Sequence, residues 1–252
     1  MSSDRTVIES LKAVDAWIDV INANINGGVR TAYKSSRLKF GGSNATVARV
    51  GNLRTTPLQF PEPGLTTVNT VVDWGQGAVI GSTEITHLAI QGQGFFVLNN
   101  VAGTGTDLFT RDGEFHTDTL GYLVHGSALY LYDAASNELV WDDSKGGTPP
   151  NTYDVLLSSF TAAGGGSLVT VVDPQQMQYT LYGSTVYNYA GATTGLGTLA
   201  GASILTKSLE ASNASMTQSV PELSLAQKLF SALTKVLQIG QTNIDAVLNL
   251  VR

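Results

Sequence analysis

The feature that most constrains this chain is a split in its hydrophobic periodicity. Both ends repeat at helical heptad spacing, and the middle alternates as strands. Near the N-terminus Val7, Leu11, Val14, Ile18, Ile21 and Ile25 are spaced 4, 3, 4, 3, 4. One face of a helix collects all six. Thr6 and Glu9 have capping-box spacing and place the helix start there, and Gly27-Gly28 stops it. Near the C-terminus Leu223, Ala226, Phe230, Leu233, Leu237, Gly240, Ile244, Val247 and Val251 alternate by 3 and 4. Ser219 and Glu222 form a second capping-box pair, with Pro221 fitting the first turn. Gly240 lies on the seam, where its missing side chain lets another backbone approach closely. Leu225, Leu229, Val236 and Ile239 add a second apolar strip. A helix apolar on two sides wants more than one partner. Packing on its own domain explains either stripe alone. Two stripes of 3.5-residue period at opposite ends favour pairing with each other as a coiled coil, or with neighbouring subunits.

Between the stripes the pattern changes. Residues 35–86 are polar and Gly-rich, and Pro57, Pro61 and Pro63 exclude a helix there. Val68, Thr70, Val72 and Trp74 alternate as in a strand. This stretch reads as an extended joint. Residues 87–200 read as a β-rich body. Leu88-Ala89-Ile90 and Phe95-Phe96-Val97-Leu98 flank the turn glycines Gly92 and Gly94. Leu108-Phe109-Thr110 and Glu114-Phe115-His116 flank Arg111-Asp112-Gly113, a hairpin signal. Further short strands follow between Gly-rich turns, as in a β-sandwich or small barrel. The expected fold is therefore mainly β with α-helical termini. Its segments are an N-terminal helix (1–34), the joint, the body, and a return linker with the C-terminal helix (201–252).

Composition excludes several function classes. Charged residues make up only 13% of the 252, about half the usual share, and the net charge is −6. Low charge gives copies little mutual repulsion, which suits assembly. No basic run supplies a nucleic-acid footprint or an anchor for an anionic membrane surface. The absence of cysteine excludes disulfides, zinc-thiolate sites and thiol nucleophiles. No segment reaches the roughly 18 apolar residues that span a bilayer. Acids near Met1–Glu9 stand where a signal peptide wants a basic stretch, so export without a cleaved signal, or a cytosolic location, is expected.

Catalytic chemistry has little to rest on. His87, His116 and His125 fall in predicted strands or turns. Spacing alone leaves a Ser-His-Asp arrangement open, but neither a Gly-x-Ser-x-Gly elbow nor a His-Glu-x-x-His site is present. Gly92-Gln93-Gly94 lacks the third glycine and following helix of a dinucleotide fingerprint. Asp142-Asp143 reads as a solvated turn before a weak cation site. No catalytic residue, cofactor or metal ligand is assigned.

Three stretches carry a family resemblance. Residues 18–26 (IDVINANIN), followed by Thr31-Ala32-Tyr33-Lys34, resemble the N-terminal signature of the flagellar rod, hook and basal-body proteins. Ala32 stands where that family usually has Gly, and Tyr33 where it has Phe. Residues 87–98 (HLAIQGQGFFVL) are similar to its "DLAIxGxGFF" block, and Phe109–Phe115 and Leu120–Val124 match the blocks that follow. Ser208-Leu209-Glu210-Ala211-Ser212-Asn213 looks like its "LExSNV".

The resemblance implies a structural subunit, not an enzyme. It implies terminal helices paired inside a tube, unfolded export by the flagellar type III route, and neighbouring rod or hook proteins as partners. The expected subunit-interface residues are the seam positions Val7, Leu11, Val14, Ile18, Ile21, Ile25, Leu223, Phe230, Leu233, Leu237, Gly240, Ile244, Val247 and Val251, with Asn22 and Asn24 at the helix end. A tube or extracellular filament without a flagellar role fits the same scaffold. A secreted β-sandwich hydrolase or carbohydrate-binding module is the alternative of another class.

Overall fold

The structure, a computed structural model, describes residues 2–42, 46–49, 58–60, 64–99, 107–119, 121–126, 129–132, 139–140, 155–156, 160, 168–191, 193–195 and 202–250. Val251, the prolines at 57, 61 and 63, and Asp142-Asp143 lie outside these residues. The chain is mainly β, with one helix towards each end. It divides into two compact units. One comprises residues 1–26, 36–73 and 215–252, the other 27–35 and 74–214.

The first unit contains α1 (Ser2–Gly27), β1 (Ser36–Gly42), β2 (Thr46–Arg49), β3 (Leu58–Phe60), β4 (Leu65–Val72) and α2 (Met216–Leu250). β1 and β4 form an antiparallel ribbon with a register shift between Lys39 and Phe40, and β2 pairs with β3. Both helices begin about one turn earlier than their capping boxes suggest. Thr6 lies inside α1, where its carbonyl accepts the Ser10 hydroxyl at 2.8 Å. Ser215 takes the N-cap position of α2, its carbonyl accepting Gln218 N at 3.2 Å and Ser219 N at 3.0 Å. Pro221 then falls in the second turn, where its missing N–H removes one i→i−4 bond.

The stripe on α1 works as its spacing predicts over its second half. Val14 and Ile21 are buried with Ala226 of α2 in one cluster, and Ile18, Ile25, Leu223 and Leu233 pack on it. Leu229 joins this cluster and Phe230 stays exposed, so the packed line on α2 deviates there from the predicted seam. A second stripe on α1, unread in the sequence, meets the ribbon at seven-residue intervals. Ser10 Oγ accepts Leu65 N at 2.9 Å. Trp17 sets its ring edge-on to Phe40, centroids 5.6 Å apart. Asn24 receives Ser36 N at 2.8 Å and donates to Ser36 O at 2.6 Å.

The second unit is the body. Its strands are β5 (Val79–Gly81), β6 (Leu88–Gln91), β7 (Phe96–Asn99), β8 (Leu108–Thr110), β9 (Phe115–Thr117), β10 (Leu123–His125), β11 (Leu129–Tyr132), β12 (Leu139–Val140), β13 (Val155–Leu156), β14 (Val169–Val171), β15 (Gln178–Thr180), β16 (Gly183–Asn188), β17 (Thr193–Gly195), β18 (Ser203–Thr206) and β19 (Ser208–Glu210). Seven of them make one antiparallel sheet in the order β15-β16-β8-β7-β11-β10-β9. The period of two sorts side chains onto its faces. Phe96, Leu98, Leu108, Leu129, Leu131 and Val186 enter one buried cluster. Their immediate neighbours Phe95, Val97, Phe109, Tyr132 and Tyr187 enter the other. Both faces of this sheet are therefore covered, and the second cover is the more aromatic.

The hairpin expected at Arg111-Asp112-Gly113 does not form. β8 pairs with β7 and β16, whereas β9 pairs with β10. The three residues instead make a buried connection between strands that are not neighbours. Asp112 Oδ1 accepts Glu114 N at 3.2 Å, and its other oxygen accepts the Thr185 hydroxyl at 3.2 Å. A Cβ at Gly113 would collide with the Leu88 carbonyl, so close packing against β6 requires glycine there.

Candidate functional site

Parts of all three stretches that carry the family resemblance, residues 31–34 from the first among them, meet in the body. Their meeting point is one carboxylate. Glu210 is fully buried at the end of β19. Its Oε1 receives Lys34 Nζ at 2.6 Å and the Gly77 amide at 2.9 Å. Its Oε2 receives Arg111 Nε at 2.8 Å. Lys34 is itself 0% exposed and also donates to the Gly75 carbonyl at 2.8 Å. A buried carboxylate is tolerable only when paired and hydrogen-bonded, and this one has three donors.

Arg111 uses the rest of its fork on the glycine turn. Nη1 donates to Gly94 O at 2.8 Å, and Nη2 donates to Gly92 O at 3.0 Å and Ile90 O at 3.4 Å. Gly92 and Gly94 have φ of 103° and 121°, conformations that favour glycine. This turn aims carbonyl oxygens at a cation. A phosphate cradle needs the reverse, amide hydrogens aimed at an anion. Lysine at 111 cannot serve all these acceptors, because its donors radiate from one point.

The backbone around the carboxylate is tied as closely. Ala32 N donates to Glu210 O at 2.7 Å, and Asn213 N donates to Tyr33 O at 3.2 Å. Asn213 Oδ1 accepts Ser35 N at 2.7 Å while its amide nitrogen donates to Gly75 O at 3.0 Å. Ala32 is held at φ 51°, a left-handed conformation. Glycine adopts this conformation freely, whereas alanine costs about 1–2 kcal/mol there.

Beside this knot lies an aromatic cluster. Trp74 stands edge-on to Phe95 and Tyr187, with centroids 5.5 and 4.9 Å away. Tyr187 is 2% exposed, and among the described residues its hydroxyl has no hydrogen-bond partner. Burial, and then the neighbouring Tyr179, push its pKa far above the ordinary phenol value. Tyr33 is raised by burial and Tyr179, against a lowering by Arg30. Both phenols are therefore neutral at physiological pH. Among the described residues no group of three His, Asp or Glu can hold a metal ion.

Matches to known proteins cover the same blocks. Residues 89–147 match the family model described as the Flagellar hook protein FlgE/F/G D1 domain. The Flagellar basal-body rod protein FlgG of Bacillus subtilis is 24% identical over 267 residues, covering 97% of each chain. The chain is similar to flagellar rod and hook proteins. The Flagellar hook protein FlgE of Caulobacter vibrioides is 30% identical over 117 residues, 45% of this chain. The match spans only 18% of that hook protein's length. Neither relative carries an enzyme's name. The family-model match contains Gly92, Gly94 and Arg111, while Lys34 and Glu210 lie outside it.

The residues expected at a subunit interface divide by exposure. Val14 and Ile21 are buried, while Val7, Leu11, Ile18, Ile25, Leu223, Leu233, Leu237 and Gly240 are half-buried. Phe230, Ile244, Val247 and Asn22 are exposed, and Asn24 is half-buried with its amide on Ser36. Sequence reasoning missed the ionic knot. Its signal was a charged residue in each of the three family-like blocks, Lys34, Arg111 and Glu210, in a chain otherwise poor in charge. No helix among the described residues is long and apolar enough to cross a membrane.

Proposed function

We propose that this chain is a structural subunit of a flagellar rod- or hook-type axial tube, polymerising through its terminal helices. The observation that carries the reading is the apolar surface of α2. Val236, Ile239, Ile244, Val247, Leu248 and Leu250 are all exposed, Leu250 at 86%. A helix of 35 residues with this surface is incomplete alone. Burying it among neighbouring copies returns roughly 25 cal/mol per Å². Contacts that repeat without closing generate a helical polymer.

In this reading α1 and α2 pair as a coiled coil, with Val14, Ile18, Ile21 and Ile25 facing Leu223, Leu233, Leu237 and Gly240. Val7, Leu11, Asn22, Phe230, Ile244, Val247 and Val251 then contact other subunits. The subunit joins neighbouring rod or hook proteins in the basal body. The relationship to a rod protein along nearly the whole chain supports this placement.

The test is negative-stain microscopy of the concentrated full chain beside a truncation lacking residues 221–252. Tubes are expected from the full chain and none from the truncation. Discrete monomers at every concentration overturn the reading.

A further inference from the structure

Two pairs of exposed charges in the helical unit match each other in sign and spacing, yet point away from each other within one molecule. On α1, Asp15 and Asp19 are exposed, four residues and about 6 Å apart along the axis. On β1, Arg37 and Lys39 are exposed, two residues and about 6.8 Å apart on one face of the ribbon. Among the described residues none of the four enters an ion pair. The cross-strand neighbours of the basic pair are Val71 and Asn69, which carry no charge. Lys12 is exposed one turn before Asp15 and leaves the acidic pair in excess on that face.

These groups cannot meet inside one copy. The ribbon lies against the Ser10, Trp17 and Asn24 line of α1, through Leu65, Phe40 and Ser36. Asp15 and Asp19 each stand two residues from Trp17, which is about 160° round the helix. Arg37 and Lys39 alternate with Leu38, which is buried, so they face away from it on the strand. The helix shows its acids on the side opposite the ribbon, and the ribbon's basic pair is turned outward.

We infer that Arg37 and Lys39 of one copy dock on Asp15 and Asp19 of the next. The occupant of each face is a second copy of this chain, because the complementary face is present on every copy and unreachable within it. Made head-to-tail, the contact can repeat along an assembly. It rests on the axial reading above and adds a polar contact outside the apolar helix faces, one that sets register between copies more than it supplies affinity.

Charge reversal tests it in the full chain. Arg37→Glu/Lys39→Glu and Asp15→Lys/Asp19→Lys are each made, with unchanged thermal melting as the check that surface substitutions leave the fold intact. Each variant alone is expected to raise the concentration needed for sedimentable polymer by at least about tenfold, since like charges then face each other. Mixing the two variants restores assembly, because the acidic ribbon of the first fits the basic helix of the second, and the basic ribbon of the second fits the acidic helix of the first. The same swap combined in one chain restores it as well. Wild-type-like assembly of both reversals overturns this contact and leaves the axial reading standing. Assembly that is lost in the reversals and not restored by mixing overturns it too. A wild-type chain that never assembles overturns the axial reading and this contact with it.

Discussion

The two units differ in how far each completes its own burial. In the body, thirteen residues form one buried cluster, and a second cluster covers the opposite face of the seven-stranded sheet. Among the described residues, the helical unit's cluster has Val14, Ile21 and Ala226 as its buried members, and α1 meets the ribbon through Ser10, Trp17 and Asn24. Its longest helix shows apolar side chains over most of its last half. The body is covered by its own chain, whereas the helical unit leaves apolar side chains of α2 exposed.

Substitutions sharpen that contrast. The largest effect is expected at Glu210→Gln, which leaves Lys34 and Arg111 buried without their anion. Breaking such a pair costs roughly 3–5 kcal/mol. Denaturant unfolding followed by near-ultraviolet dichroism should show the loss in the body transition, and a change under 1 kcal/mol would mean the knot is not what holds these segments. A smaller effect of the opposite sign is expected at Ala32→Gly, where relief of the left-handed strain adds about 1 kcal/mol to the same transition. The smallest belongs to Ile244→Glu on the exposed end of α2. Monomer stability should move by no more than about 0.5 kcal/mol, while tube formation in the microscope should fail. A large loss of monomer stability there would break the comparison, because it would make that face part of the chain's own core.

Sequence periodicity reveals the helices and the β character of the middle, because a repeat of 3.5 or 2 is written in neighbouring residues. The capping boxes at Thr6 and Ser219 mislead by about one turn, since Ser and Thr inside a helix can bond back to the carbonyl four residues earlier, as Ser10 and Ser219 do here. The hairpin at Arg111 misleads for a different reason. Its strands have better partners far away in sequence, and local turn chemistry carries no record of them. The line Ser10, Trp17, Asn24 mixes polar and aromatic residues, so a hydropathy pattern passes over it. The knot is visible only once the family-like blocks are seen together in space. What the blocks share is a set of bonds, and no single block shows it.

The four places where the chain passes between units fall at residues 26/27, 35/36, 73/74 and 214/215. Just inside three of them stand Lys34 and Ser35, Gly75, and Asn213, which bond to one another. Tension arriving along any of these three backbones reaches that tie before it reaches a strand of the large sheet. The pull is shared among parallel bonds and cannot peel the strands one at a time. Force entering the body along these three backbones would meet the bonds among Lys34, Ser35, Gly75 and Asn213 first.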